Sequence, residues 1–215
     1  MATVLKNNLD STTLWSSKRL FALAVSLIAW FCILFQLYLT KETTSNFFSY
    51  FTILCNLLIA LCTFCISVIP TSRAGAFFSI LSVQTSIALY IFIVALVYNL
   101  VLRGIWQLTG WDLILDNMLH VVNPILYILY WVFCRQKGQL KWSNALSWIV
   151  FPFLYLVYSL IRGAIIGWYP YPFLNALKFG YGKVILNIGI MLLVFCVAGF
   201  ILIAITRKLD KEAAS

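Results

Sequence analysis

Residues 20–39 read LFALAVSLIAWFCILFQLYL, twenty positions without a single charge. Lys18 and Arg19 stand before the run, and KETTSN (41–46) comes after it. A helix needs about 20 apolar residues, at about 1.5 Å of rise each, to cross the hydrocarbon core of a bilayer. The pattern recurs at 47–69, 76–101, 113–133, 145–166 and 183–206. The connectors PTSRAG (70–75), RGIWQLTGWD (103–112), CRQKGQLKWSN (134–144) and WYPYPFLNALKFGYG (168–182) are short and carry the turn residues. The first run is longer than the apolar part of a signal peptide, and no small-x-small cleavage site comes after it, so it reads as a retained span. The expected fold is all-α: one polytopic membrane domain over residues 1–215, built as a six-transmembrane-helix bundle.

Composition supports the same solvent. Of the 215 residues 63% are hydrophobic and only 10% charged, against roughly 25% charged in a soluble domain. Mean hydropathy is +0.99. The net charge of +9 does not point to nucleic acid, because the basic residues are scattered singly and form no dense patch. Their distribution sets orientation instead. Lys6, Lys18, Arg19, Arg73, Arg135, Lys137, Lys141, Arg207, Lys208 and Lys211 fall on one side, and Lys41, Arg103, Arg162, Lys178 and Lys183 on the other, ten against five. Both termini are expected in the cytoplasm. No Asn-x-Ser/Thr sequon occurs, which fits a bacterial inner membrane.

The six cysteines lie in or at the ends of apolar runs and read as small buried hydrophobes. Cys62 and Cys65 form a CxxC, but no second pair completes a zinc site. With one histidine in the chain, neither a metal nor a haem is expected, and no cofactor is called for.

Polar residues inside spans usually face the bundle interior. Ser45, Ser49, Thr52, Asn56, Thr63 and Ser67 fall within roughly 60° of one another at about 100° per residue, a one-sided stripe on the second span. Asp112, Asp116, His120 and Asn123 step by 4, 4 and 3 along the fourth, with Asn117 beside them. Pro124 lacks the amide that would bond the carbonyl of His120, which loosens the backbone there. Both spans enter from the same side, which puts Thr52 roughly 8 Å deep and His120 roughly 10 Å deep. A hydroxyl and an imidazole at matching depth meet if the helices are neighbours. Interhelical hydrogen bonding is the alternative reading of both. The chemistry these residues allow is a threonine nucleophile with a histidine base.

The motifs YFTILCN (50–56), NMLHVVNP (117–124) and WYPYPFL (168–174) resemble, in order and spacing, those of the androgen-induced gene 1 / FAR-17a family, including its bacterial Pr6Pr-type members. The resemblance covers most of the chain. It implies a multi-span threonine hydrolase; animal members cleave fatty acid esters of hydroxy fatty acids. It aligns the catalytic threonine with Thr52 and the catalytic histidine with His120. Met118 stands where the family has a first histidine, and Tyr169 where the animal motif Trp-x-Tyr-Pro-Phe-Leu has its tryptophan.

The expected reaction is hydrolysis of a lipid (fatty acyl) ester drawn from the bilayer. In it His120 accepts the proton of Thr52, and an acyl-threonine forms. Asp116 has two readings, orienting the imidazole as a triad's third member or complementing a helix N-terminus. Asn56 and Asn117 are candidate oxyanion donors, with interhelical bonding as their other reading, and Asn123 shares the stripe. Arg162 is a candidate for a fatty carboxylate, or a snorkelling side chain. Tyr169 and Tyr171 belong to a loop that either roofs the pocket or anchors the interface. The competing reading is a non-catalytic lipid-binding or small-solute membrane protein that uses the same cavity. A transporter would show paired broken helices in repeated halves, which the sequence lacks.

Overall fold

The computed structural model describes residues 16–136 and 138–212. Lys6 and Lys137, counted in the charge asymmetry, lie outside them. Among the described residues six helices are long and apolar enough to cross a membrane: α1 Ser17–Leu39, α2 Phe51–Val68, α3 Leu81–Leu102, α4 Gly110–Cys134, α5 Asn144–Ile166 and α6 Ala176–Lys211. No strand occurs among these residues. The chain folds as an all-α six-span bundle.

α1 packs chiefly against α2, α2 against α3, α3 against α4, and α4 back against α1, which closes a ring of four. α5 and α6 pack together, and α6 lies against α3. The most apolar stretches of α2 and α3 are 61% and 56% buried, against 17% for α6. The polar stripe of the second span therefore lies at the bundle centre, on the helix with most to bury.

Three span starts differ from the sequence reading by four residues or more; the sixth begins at Ala176 rather than 183, ahead of the break at Gly180. The second span starts at Phe51 rather than 47, because Thr44–Phe47 forms a separate helical turn. Phe48–Tyr50 is held out of the helix by distant partners. The Tyr155 hydroxyl donates to the Ser49 carbonyl (3.0 Å), and Ser49 Oγ lies 2.8 Å from the Tyr158 hydroxyl. Ser45 and Ser49 thus precede the helix that carries the rest of the stripe. The third span starts at Leu81 rather than 76, because Arg73–Phe78 is a short helix of its own. Its Gly75 passes so close to the loop that a Cβ there would overlap the Ile69 carbonyl oxygen.

Two π turns interrupt the α-helices, Tyr98–Leu102 in α3 and Met118–Val122 in α4. The second has a local cause. A proline ring clashes with the carbonyl four residues back and cannot donate to it. Upstream of Pro124 the helix widens instead, and the Asn123 amide bonds the Met118 carbonyl. Past α5, Gly167 adopts a left-handed conformation (φ 73°) and its amide caps the Gly163 carbonyl. Residues 168–175 then fold back over the end of the bundle where α2 begins. Gly180 (φ 74°, ψ 154°) breaks the start of α6.

Candidate active site

Thr52 is the second residue of α2. The N-cap Tyr50 contributes no side-chain hydrogen bond, and amides in the first turn of a helix have no carbonyl partner within it. The Thr52 amide donates instead to the Tyr171 hydroxyl, at 3.2 Å. Thr52 is 6% exposed and Tyr171 8%. Thr52 Oγ1 lies 3.1 Å from His120 Nε2 and 3.3 Å from the Tyr171 hydroxyl. The residues at matched predicted depth are in direct contact.

The donors and acceptors around His120 fix the direction of every bond. Its Nδ1 lies 2.8 Å from the backbone carbonyl of Asp116 and 3.0 Å from that residue's Oδ1. Both are acceptors only, so Nδ1 carries the proton. Nε2 of the neutral ring is then a lone pair and accepts the Thr52 hydroxyl proton. With that proton committed, Thr52 Oγ1 is the acceptor for Tyr171. The other Asp116 oxygen takes the hydroxyl of Tyr98. The Tyr98 ring stacks on the imidazole at 4.1 Å and 15°. Each of these stacked rings is presented by its own π turn.

Two cavities meet at this point. One, of about 50 Å³, is almost wholly apolar and runs into the bundle between Ile93, Val97, Leu156, Leu174, Met191 and Phe195. The other, of about 240 Å³, is a vestibule of mixed lining, in which Gln36, Thr40, Glu42, Asp112 and Asp116 stand among apolar residues such as Phe47, Ile53, Leu108 and Leu119. Thr52, His120, Tyr171 and Leu102 line both. Among the described residues no lysine or arginine lines the vestibule. Arg103 bonds Asn117 Oδ1 (2.9 Å) and lies over the Tyr98 ring instead.

The amides of the stripe are committed elsewhere. Asn56 Nδ2 donates to the carbonyls of Thr52 (2.9 Å) and Leu119 (3.1 Å), while its oxygen accepts from Asn123 Nδ2 (2.8 Å). These bonds lock α2 to the π turn of α4, and with both N–H groups used Asn56 is not available as an oxyanion donor. The Asn117 amide bonds the Leu113 carbonyl one turn back. Neither Arg162 nor Tyr169 lines either cavity. Arg162 Nη2 holds Ser45 Oγ (2.9 Å) and Asn46 Oδ1 (2.7 Å), and its guanidinium lies over Trp168. The Tyr169 ring packs on Gly163, where a Cβ would overlap it. Tyr171, Phe173 and Leu174 of the same loop do wall the apolar cavity.

Tyr98 carries no signal in the sequence, since it ends an apolar span with no polar stripe of its own. Asp112 lines the vestibule without touching His120. Among the described residues no three His, Cys, Asp or Glu side chains gather as a metal site. Comparison with protein-family models, with curated proteins and with solved structures finds no match to this chain.

Proposed function

We propose that this chain is a membrane-embedded threonine hydrolase of fatty acyl esters. The observation that carries the reading is the directed relay Tyr98–Asp116–His120–Thr52 at the seam between an apolar chamber and a vestibule that carries three carboxylates. An ester has the same polarity as that seam, with a hydrocarbon acyl chain on one side of the reactive carbon and an alcohol on the other. The likeness of YFTILCN, NMLHVVNP and WYPYPFL to the androgen-induced gene 1 / FAR-17a family supports the same chemistry. The charge asymmetry supports cytoplasmic termini, and the absence of an Asn-x-Ser/Thr sequon fits a bacterial inner membrane.

In the reaction, Thr52 Oγ1 attacks the acyl carbon as its proton passes to His120 Nε2. The bond to the alcohol oxygen breaks, and the imidazolium returns the proton to that oxygen. A water from the vestibule then attacks the acyl-threonine and gives its proton to Nε2. Thr52 Oγ1 recovers that proton as the fatty acid leaves. Asp116 stabilises the imidazolium formed in each half, and Tyr98 holds the carboxylate.

The test is turnover of a panel of fatty acyl esters by the purified protein beside Thr52→Ala and His120→Ala. Turnover by wild type alone, and fluorophosphonate labelling lost in Thr52→Ala, are expected. Equal turnover by all three proteins refutes the pair. Lipid binding without turnover identifies a lipid-binding protein instead.

A further inference from the structure

We propose that Tyr171 is the oxyanion donor of this site, a catalytic residue whose hydroxyl stabilises the charge that develops on the ester carbonyl oxygen. The inference rests on the hydrolase reading. Acyl transfer by an activated hydroxyl needs donors where the tetrahedral oxygen forms. The two asparagines that the sequence offers do not serve: Asn56 spends both N–H groups on carbonyls, and Asn117 lines neither cavity. The Tyr171 hydroxyl is the remaining side-chain donor in contact with Thr52 Oγ1.

Its geometry suits the task. The phenol oxygen accepts the Thr52 amide, so its own proton points away from that bond, toward Oγ1. Once Oγ1 attacks, its lone pair is committed to the acyl carbon and it becomes a poor acceptor. The oxyanion is bonded to that same carbon and so forms within reach of a phenol already 3.3 Å from Oγ1. The O–H turns from the nucleophile to the oxyanion without the ring moving. No proton changes owner: burial pushes the phenol up to about 12, so it acts as a neutral donor. The amide that Tyr171 accepts belongs to the first turn of α2, whose dipole is positive at that end and polarises the phenol further. The ring is held by Phe173, stacked at 5.4 Å, and by the edge of Tyr50 at 5.9 Å.

The experiment compares an ester with its thionoester, identical except that sulfur replaces the carbonyl oxygen. Sulfur accepts hydrogen bonds weakly, so a lost donor is felt on the ester and much less on the thionoester. Tyr171→Phe is expected to lower kcat on the ester about 10²–10³-fold and to shrink the ester-to-thionoester ratio by about tenfold or more. The ratio does not depend on how much of the variant is folded. An equal loss on both substrates overturns the proposal, because the phenol then only positions Thr52. Should Tyr171→Phe fail to fold, 3-fluorotyrosine at 171 keeps the ring and strengthens the donor. The ratio is then expected to rise, and an unchanged ratio overturns the proposal. A wild type that cleaves neither substrate refutes the hydrolase itself, a result distinct from either of these.

Discussion

Asp116→Asn separates two jobs that one residue performs in this site. The carboxylate is 3.0 Å from His120 Nδ1, and the backbone carbonyl of the same residue is 2.8 Å from it. Where a buried aspartate alone holds the tautomer, its conversion to asparagine costs about 10⁴ in kcat. Here the carbonyl survives the substitution and keeps the proton on Nδ1, so the tautomer persists. What is lost is stabilisation of the imidazolium. At an effective dielectric of about 20 and a charge separation of about 4 Å this is worth roughly 4 kcal/mol at most, or a factor of about 10³. The side chains are 14% and 16% exposed, and water screens the pair further. The expected loss in kcat is between roughly 10² and 10³, with KM little changed. Steady-state hydrolysis and the rate of fluorophosphonate labelling measure it. A loss under about threefold refutes the role of the carboxylate, and a loss of about 10⁴ refutes the role of the carbonyl.

Two other consequences are open to measurement. Gly163→Ala drives a methyl into the Tyr169 ring; the overpacking should cost about 1–3 kcal/mol and lower the melting temperature in detergent, and an unchanged Tm contradicts the packing. Because Glu42, Asp112 and Asp116 line the vestibule with no lysine or arginine among the described residues, an ester whose alcohol part carries a carboxylate should turn over several-fold more slowly than a neutral ester of the same acyl chain. Glu42→Gln with Asp112→Asn, or added salt, should narrow the gap, and faster turnover of the anionic ester would defeat the reading.

The six spans and the matched depth of Thr52 and His120 were legible in the sequence because each depends on local periodicity, whereas the adjacency of α2 and α4 that lets the two meet was not. An uncharged run of twenty residues and polar steps of three and four are properties of one helix at a time. What the sequence hid depends on partners far along the chain. Nothing in FFSYF announces that the helix starts at Phe51, since the break is held by Tyr155 and Tyr158, more than a hundred residues away. Tyr171 reaches Thr52 across 119 positions. Asn56 and Asn117 had two readings, oxyanion donor or interhelical bond, because a sequence does not reveal which carbonyls already hold their amides. Arg162 and Tyr169 lie near the mouth in sequence but face Asn46 and Gly163 in space.

The π turn at Met118–Val122 has a meaning for the length of the chain as well as for its chemistry. A π turn holds about one residue more than an α turn, so α4 carries a one-residue insertion without shifting the phase of the residues beyond it. Asp116 on one side of it and Asn123 and Tyr127 on the other keep the faces they would have in an uninterrupted helix that lacked that residue. Removing one residue from 118–122 therefore keeps the phase of both flanks, while Pro124 still denies the carbonyl four residues back its partner, and the cost is concentrated on this turn and on the presentation of His120. A deletion there spares the register of the flanking helix and falls on the histidine that the site needs.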